Sequence, residues 1–220
     1  MNFIQLARET RKRAGLQGTG PSSVSATGYE AAIVSYVQDA WADIQNERNQ
    51  WRWMRGQAAF TISQGDGEYL LGDIFSPGYR FNRWHKDTCY ILVDSKWNPL
   101  RFMAYDQFVY LTQNQTEDTR PSRFTIRPQD SALLFDSPDG PYSIKIDYQK
   151  SLQELVIDSD VPEMPEQFHR LVVYGGVMNY AEELGRQGKF NYYSVKYTRM
   201  LNILMRNQLP KEILKMRPIV

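Results

Sequence analysis

The sequence predicts an α+β protein: a helical bundle formed by the N- and C-terminal helices, with an antiparallel β-rich domain inserted between them. Three observations carry this reading. Apolar residues recur at helical spacing before residue 56, the period drops to two between 57 and 150, and helical spacing returns after about 166. Strands enclosed by helices on both sides read as an insertion, and the two pairs of terminal helices supply a bundle. The expected divisions are 1–56 for the N-terminal helices, 57–150 for the β-domain, 151–208 for the C-terminal helices and 209–220 for a basic tail.

Taken in order, residues 2–14 form a short amphipathic helix. Phe3, Leu6, Ala7 and Ala14 lie on its apolar side, Arg8, Arg11, Lys12 and Arg13 face water, and Gly15 is the stop. Residues 15–28 hold four Gly, three Ser, two Thr and Pro21, the composition of a loop. Thr27 followed by Glu30 matches a capping box for a second helix. Ile33, Val37, Ala40, Trp41 and Ile44 give that helix its buried stripe, and it ends near Asn49, ahead of Trp51, Trp53 and Gly56.

In the β-region, 59–63, 68–71, 88–94, 100–105, 123–127 and 132–135 read as strands, and Gly65–Gly67 and Trp97–Pro99 as turns. Residues 136–141 are dense in turn formers. Tyr142, Ile144, Ile146 and Tyr148 then share one face of a cleanly alternating strand. Residues 112–122 lack both periods and read as a long exposed loop. Pro162 and Pro165 lead into a helix whose apolar side holds Phe168, Leu171, Val172, Val177, Met178, Ala181 and Leu184. Gly175-Gly176 in its middle costs about 1 kcal/mol per glycine against Ala, which close helix packing or a kink would explain. Gly185 and Gly188 bracket the helix end. A last helix over 191–208 puts Tyr193, Tyr197, Met200, Leu201 and Leu204 on one face, and Pro210 ends it.

Composition excludes several function classes. The 220 residues carry 26 Lys+Arg and 25 Asp+Glu, for a net charge of +1, without the basic excess of a general nucleic-acid binder. Hydrophobic content of 42% supports a core and argues against disorder. A single cysteine, Cys89, rules out a disulfide scaffold and fits a reducing compartment. No apolar run approaches the ~20 residues of a membrane helix, and Met1–Thr10 lacks the apolar core of a signal peptide.

No catalytic, cofactor or metal residue is expected. His85 and Cys89 stand four apart, but in loop and strand, and no second pair completes four zinc ligands. His169 opens an apolar helix as a structural histidine, and Cys89 reads as a small buried hydrophobe. Gly15–Pro21 resembles a phosphate loop, yet it follows a helix and no Gly-Lys-Ser/Thr opens the next one. Five Trp and fourteen Tyr invite a base-stacking reading. Residues 57–150 hold 10 bases and 12 acids, so no basic groove accompanies the rings, and core or subunit interface is the plainer use. Asp158, Asp160, Glu163 and Glu166 fail the calcium-loop pattern and read as an acidic linker or a contact for a basic surface.

Three blocks carry a family resemblance: Trp41-Ala42-Asp43-Ile44-Gln45 with Trp51-Arg52-Trp53; Asp160-Val161-Pro162-Glu163-Met164-Pro165-Glu166-Gln167-Phe168; and Arg120–Ile126 with Gly140–Ile144. In this order they resemble the head-to-tail adaptor proteins of tailed bacteriophages, which include tail tubular protein A of short-tailed phages. The resemblance implies a non-enzymatic structural virion protein, a ring typically of twelve subunits docked below the portal protein. It also implies contact with a tail tube or nozzle protein, genomic double-stranded DNA passing through the channel without sequence-specific contact, no membrane, and a place in the head–tail neck after assembly in the host cytoplasm. The portal-reaching segment maps to Arg206, Leu209, Lys211, Ile213, Leu214, Lys215, Met216 and Arg217.

The near-zero net charge conceals a segregation. Residues 151–169 hold five acids and no base, and residues 188–220 hold seven bases and one acid. A closed ring needs two different faces on each subunit. Asp158, Asp160 and Glu163 on one side and Lys189, Lys196 and Arg199 on the other are the expected subunit contacts. The rival readings are a single-stranded nucleic-acid module built on the aromatic β-domain and a glycan hydrolase using the acidic residues.

Overall fold

The computed structural model describes residues 1–48, 50–113 and 118–209. The chain divides into two compact units, Met1–Met54 with the chain from Leu152 onward, and Arg55–Ser151. The fold is α+β, with the terminal helices packed together and β-sheets inserted between them.

The first unit holds α1 (Phe3–Ala14), α2 (Tyr29–Glu47), α5 (His169–Glu183) and α6 (Gln187–Gln208). Ten residues of α5 are buried, spread around the helix, because α1, α2 and α6 all pack on it. Phe3, Leu6, Val37, Trp41, Ile44, Leu171, Val172 and Leu204 are among the residues that fill the shared core. Gly175 and Gly176 are explained by close packing within an unbroken helix. A Cβ at Gly175 would meet the Ala40 Cβ at 2.8 Å, and one at Gly176 would meet Thr10 Cγ2 at 3.1 Å.

Helix ends differ from expectation in three places. The N-cap of α2 is Gly28, with no side-chain cap, so the Thr27–Glu30 capping box does not form. Glu30 instead pairs with Arg11 at 2.6 Å, a stronger charge-assisted partner than a backbone amide. The capping box that does form belongs to α1, where the Asn2 side chain accepts from the Gln5 N–H and the Gln5 side chain accepts from the Asn2 N–H. Gly185, at φ 61°, turns the chain after α5, which leaves Leu184 exposed, and α6 starts at Gln187 with Gly188 inside it.

The second unit holds two sheets. One runs β1 (Arg55–Ile62), β9 (Tyr142–Gln149), β4 (Tyr90–Val93), β5 (Lys96–Pro99), with β3 (Arg83–Trp84) also on β9. The other runs β2 (Glu68–Tyr69), β8 (Leu133–Phe135), β7 (Arg123–Ile126), β6 (Arg101–Phe102). All ladders are antiparallel except β6–β7, a parallel pair that the antiparallel expectation missed. Inward-facing Ile62, Phe124, Leu133, Ile144 and Ile146 make its core, and Phe75, Phe81, Trp84 and Tyr148 pack ring on ring at 4.8–6.1 Å.

Local chemistry corrects the remaining elements. Trp97–Pro99 is strand, and the turn lies at Asp94 and Ser95, both at positive φ (48° and 63°), so Val93 pairs with Lys96 across a two-residue hairpin. Leu70 and Leu71 leave the strand because the Asp73 carboxylate accepts from the Leu70 N–H at 2.9 Å, starting the short α3 (Leu71–Ile74). The strand expected over 100–105 stops at Phe102, and α4 (Tyr105–Thr112) follows, a helix that the sequence pattern does not announce. Part of the loop expected over 112–122 lies outside the described residues.

Candidate functional site: two charged faces of the helical unit

The acidic stretch is built into the bundle by its main chain. Gln38 and Gln45 stand seven apart on one flank of α2. Gln38 Nε2 donates to the Leu155 carbonyl at 2.9 Å, and Gln45 exchanges bonds with Gln153 at 3.1 and 2.7 Å. Residues 152–156 therefore lie along α2. Between them is a groove of about 310 Å³ lined by Gln38, Asp39, Trp41, Ala42 and Leu152–Val156. Trp41 is buried, and its Nε1 has no acceptor among the described residues.

The segment then turns sharply. Asp160 accepts from the N–H groups of Val156 and Ile157 at 2.6 and 2.9 Å, and its carbonyl accepts from the Phe3 N–H at 2.7 Å. Asp158 accepts from the Val24 N–H at 2.7 Å and from Ser23 Oγ at 3.3 Å, while its carbonyl takes the Ile4 N–H. These two residues thus satisfy otherwise orphaned first-turn amides of α1. Glu163 and Glu166 are exposed.

The basic face is carried by α6, which contains no acidic residue. Lys189 is drawn inward, its Nζ donating to the Ala14 carbonyl at the C-terminus of α1. Lys196 bonds the Tyr192 hydroxyl and sits 4.1 Å from that ring. This raises the ammonium pKa and lowers that of the phenol. Arg199 and Arg206 are exposed, and Leu209 packs on the core of the unit. Lys211, Ile213, Leu214, Lys215, Met216 and Arg217 lie outside the described residues.

Two faces thus emerge on different flanks of α2. The acidic segment follows the Gln38–Gln45 flank. On the other flank, Asp43 and Glu47 lie near the Tyr197 hydroxyl of α6, whose pKa is pushed up to about 12 by burial and by those two carboxylates.

His169 and Cys89 serve structure here. His169 is buried and its Nε2 donates to the Met164 carbonyl at 3.1 Å in the neutral ring. Cys89 is buried in the β-unit core, and burial pushes its thiol pKa up strongly. Among the described residues no group of three or more His, Cys, Asp or Glu stands close enough to hold a metal ion, and no helix is long and apolar enough to cross a membrane. The aromatic β-domain directs Tyr69, Trp84, Phe124 and Phe135 into its core. Trp97 is exposed, with the Lys145 ammonium 4.1 Å from its ring.

The protein is thus a helical unit interrupted by a β-domain, with acids and bases concentrated in different segments of the helical unit. The chain matches the SU10 adaptor protein family over residues 1–215 and belongs to that family of phage head–tail adaptors. No curated protein matches the sequence.

Proposed function

We propose that the protein forms a ring, of about twelve copies, that joins the portal to the tail at the virion neck and surrounds the DNA channel. Membership of the adaptor family over residues 1–215 is the observation that carries this reading. The charge segregation supports it, because head-to-tail closure requires two complementary surfaces per subunit. Asp158, Asp160 and Glu163 would present the acidic surface, and Lys189, Lys196 and Arg199 the basic one. Arg206, Leu209 and the basic residues up to Arg217 would reach the portal, and a loop of the β-domain would meet the tail tube or nozzle.

The test is a truncation. Removal of 209–220 is expected to leave the subunit folded while weakening binding to the portal protein of the same virion at least tenfold. Unchanged portal binding by the truncated chain would remove the C-terminal segment from this role.

A further inference from the structure

We propose that the exposed stripe of α6 on one copy docks against the α2 groove and adjoining elbow of the next copy. This rests on the ring reading and specifies its interface. Tyr192, Val195, Arg199, Asn202, Ile203 and Arg206 share the side of α6 opposite its packed residues Tyr193, Tyr197 and Leu204. Val195 and Ile203 are 70% and 51% exposed, large values for aliphatic side chains. The elbow shows the same anomaly: Val156 is 64% exposed and Ile157 57%, next to exposed Leu152 and Val161. Each surface is an apolar strip flanked by one sign of charge.

The signs are opposite. Arg199 and Arg206 flank the α6 strip, with Lys196 at its edge, and Asp39 and Glu154 flank the groove. The groove also holds the buried indole of Trp41 with no acceptor for its Nε1.

A stripe seated in the groove of the next copy leaves that copy's own stripe free to seat in a further one. Association by this contact is heterologous and propagates. It also reassigns the work of the charges set out above: Asp158, Asp160 and Lys189 are hydrogen-bonded within the protomer, and Arg206 leaves the portal-reaching segment to join Arg199 against Asp39 and Glu154 of the next copy.

The experiment uses full-length chains assembled with the portal protein. One carries Val156→Cys and the other Ile203→Cys, each with a different tag; the native Cys89 is buried. A short bismaleimide is expected to join the two different chains in at least tenfold excess over like pairs. Ile203→Asp, at an exposed site, is expected to lower the multimer fraction at least tenfold with an unchanged circular dichroism spectrum. Multimers that form without the mixed cross-link, or with like pairs dominant, overturn this interface and leave the ring reading intact. Absence of any multimer in the presence of portal overturns both.

Discussion

Gly175 of α5 and Ala40 of α2 are packed so closely that a Cβ on the glycine would sit 2.8 Å from the Cβ of the alanine. Gly175→Ala would force α2 and α5 apart across the buried core. The overpacking cost of about 1–3 kcal/mol exceeds the gain in helix propensity of about 1 kcal/mol. A fall in the urea midpoint is expected, and Gly188→Ala in α6, where an added Cβ meets nothing within 4 Å, is expected to hold or raise it by up to about 1 kcal/mol.

Gln45 holds the acidic segment to the bundle. Its buried amide bonds Gln153 through both its nitrogen and its oxygen, and also donates to the Trp41 carbonyl at 3.3 Å. Gln45→Leu keeps the volume and removes the bonds, which strands the Gln153 main chain. A loss of about 1–3 kcal/mol is expected, with faster amide exchange at Gln153 as the local signature.

His169 gives the helical unit a pH dependence. Burial, with the Met1 amino group 2.8 Å from Nδ1, lowers its pKa below the ordinary 6.5. Below about 6.5 the unfolded chain takes up a proton that the folded chain refuses, so stability is fully present above that value and falls as pH drops toward the folded pKa. The slope per proton reaches about 1.4 kcal/mol per pH unit. His85 shifts in the same direction, through burial and then Arg55 and Arg83. Urea midpoints between pH 8 and 5 are expected to fall, and to fall less steeply in His169→Gln.

Ser95 occupies the second position of the β4–β5 turn at φ 63°. Left-handed backbone is unfavourable for an L-residue with a Cβ, and glycine relieves it. Ser95→Gly is expected to raise stability by about 0.5–1 kcal/mol with an unchanged spectrum. A loss would show that the serine is held by something other than the turn.

Much of the fold is legible along the chain because its signals are local. The 3.6-residue stripe of Ile33, Val37, Trp41 and Ile44 and the alternation over Tyr142–Tyr148 each report one buried face, and the structure places both as expected. Errors occur where a local signal meets a better partner elsewhere. Glu30 leaves its helix end for Arg11, nineteen residues away. The Asp94–Ser95 turn carries no glycine to announce it, and the sequence signal for a turn falls instead on Trp97-Asn98-Pro99.

The candidate site divides in the same way. Sequence alone determined that acids concentrate in 151–169 and bases beyond 188, because charge is a property of composition. Only the tertiary structure decided which of those charges remain available. The Asp158 carboxylate is taken up by Ser23 and Val24, Lys189 caps the C-terminus of α1, and Val156, Ile157, Val195 and Ile203 are left outside. The physical reason is that a side chain's role depends on its hydrogen-bond partners, and these come from segments well over a hundred residues apart in the chain.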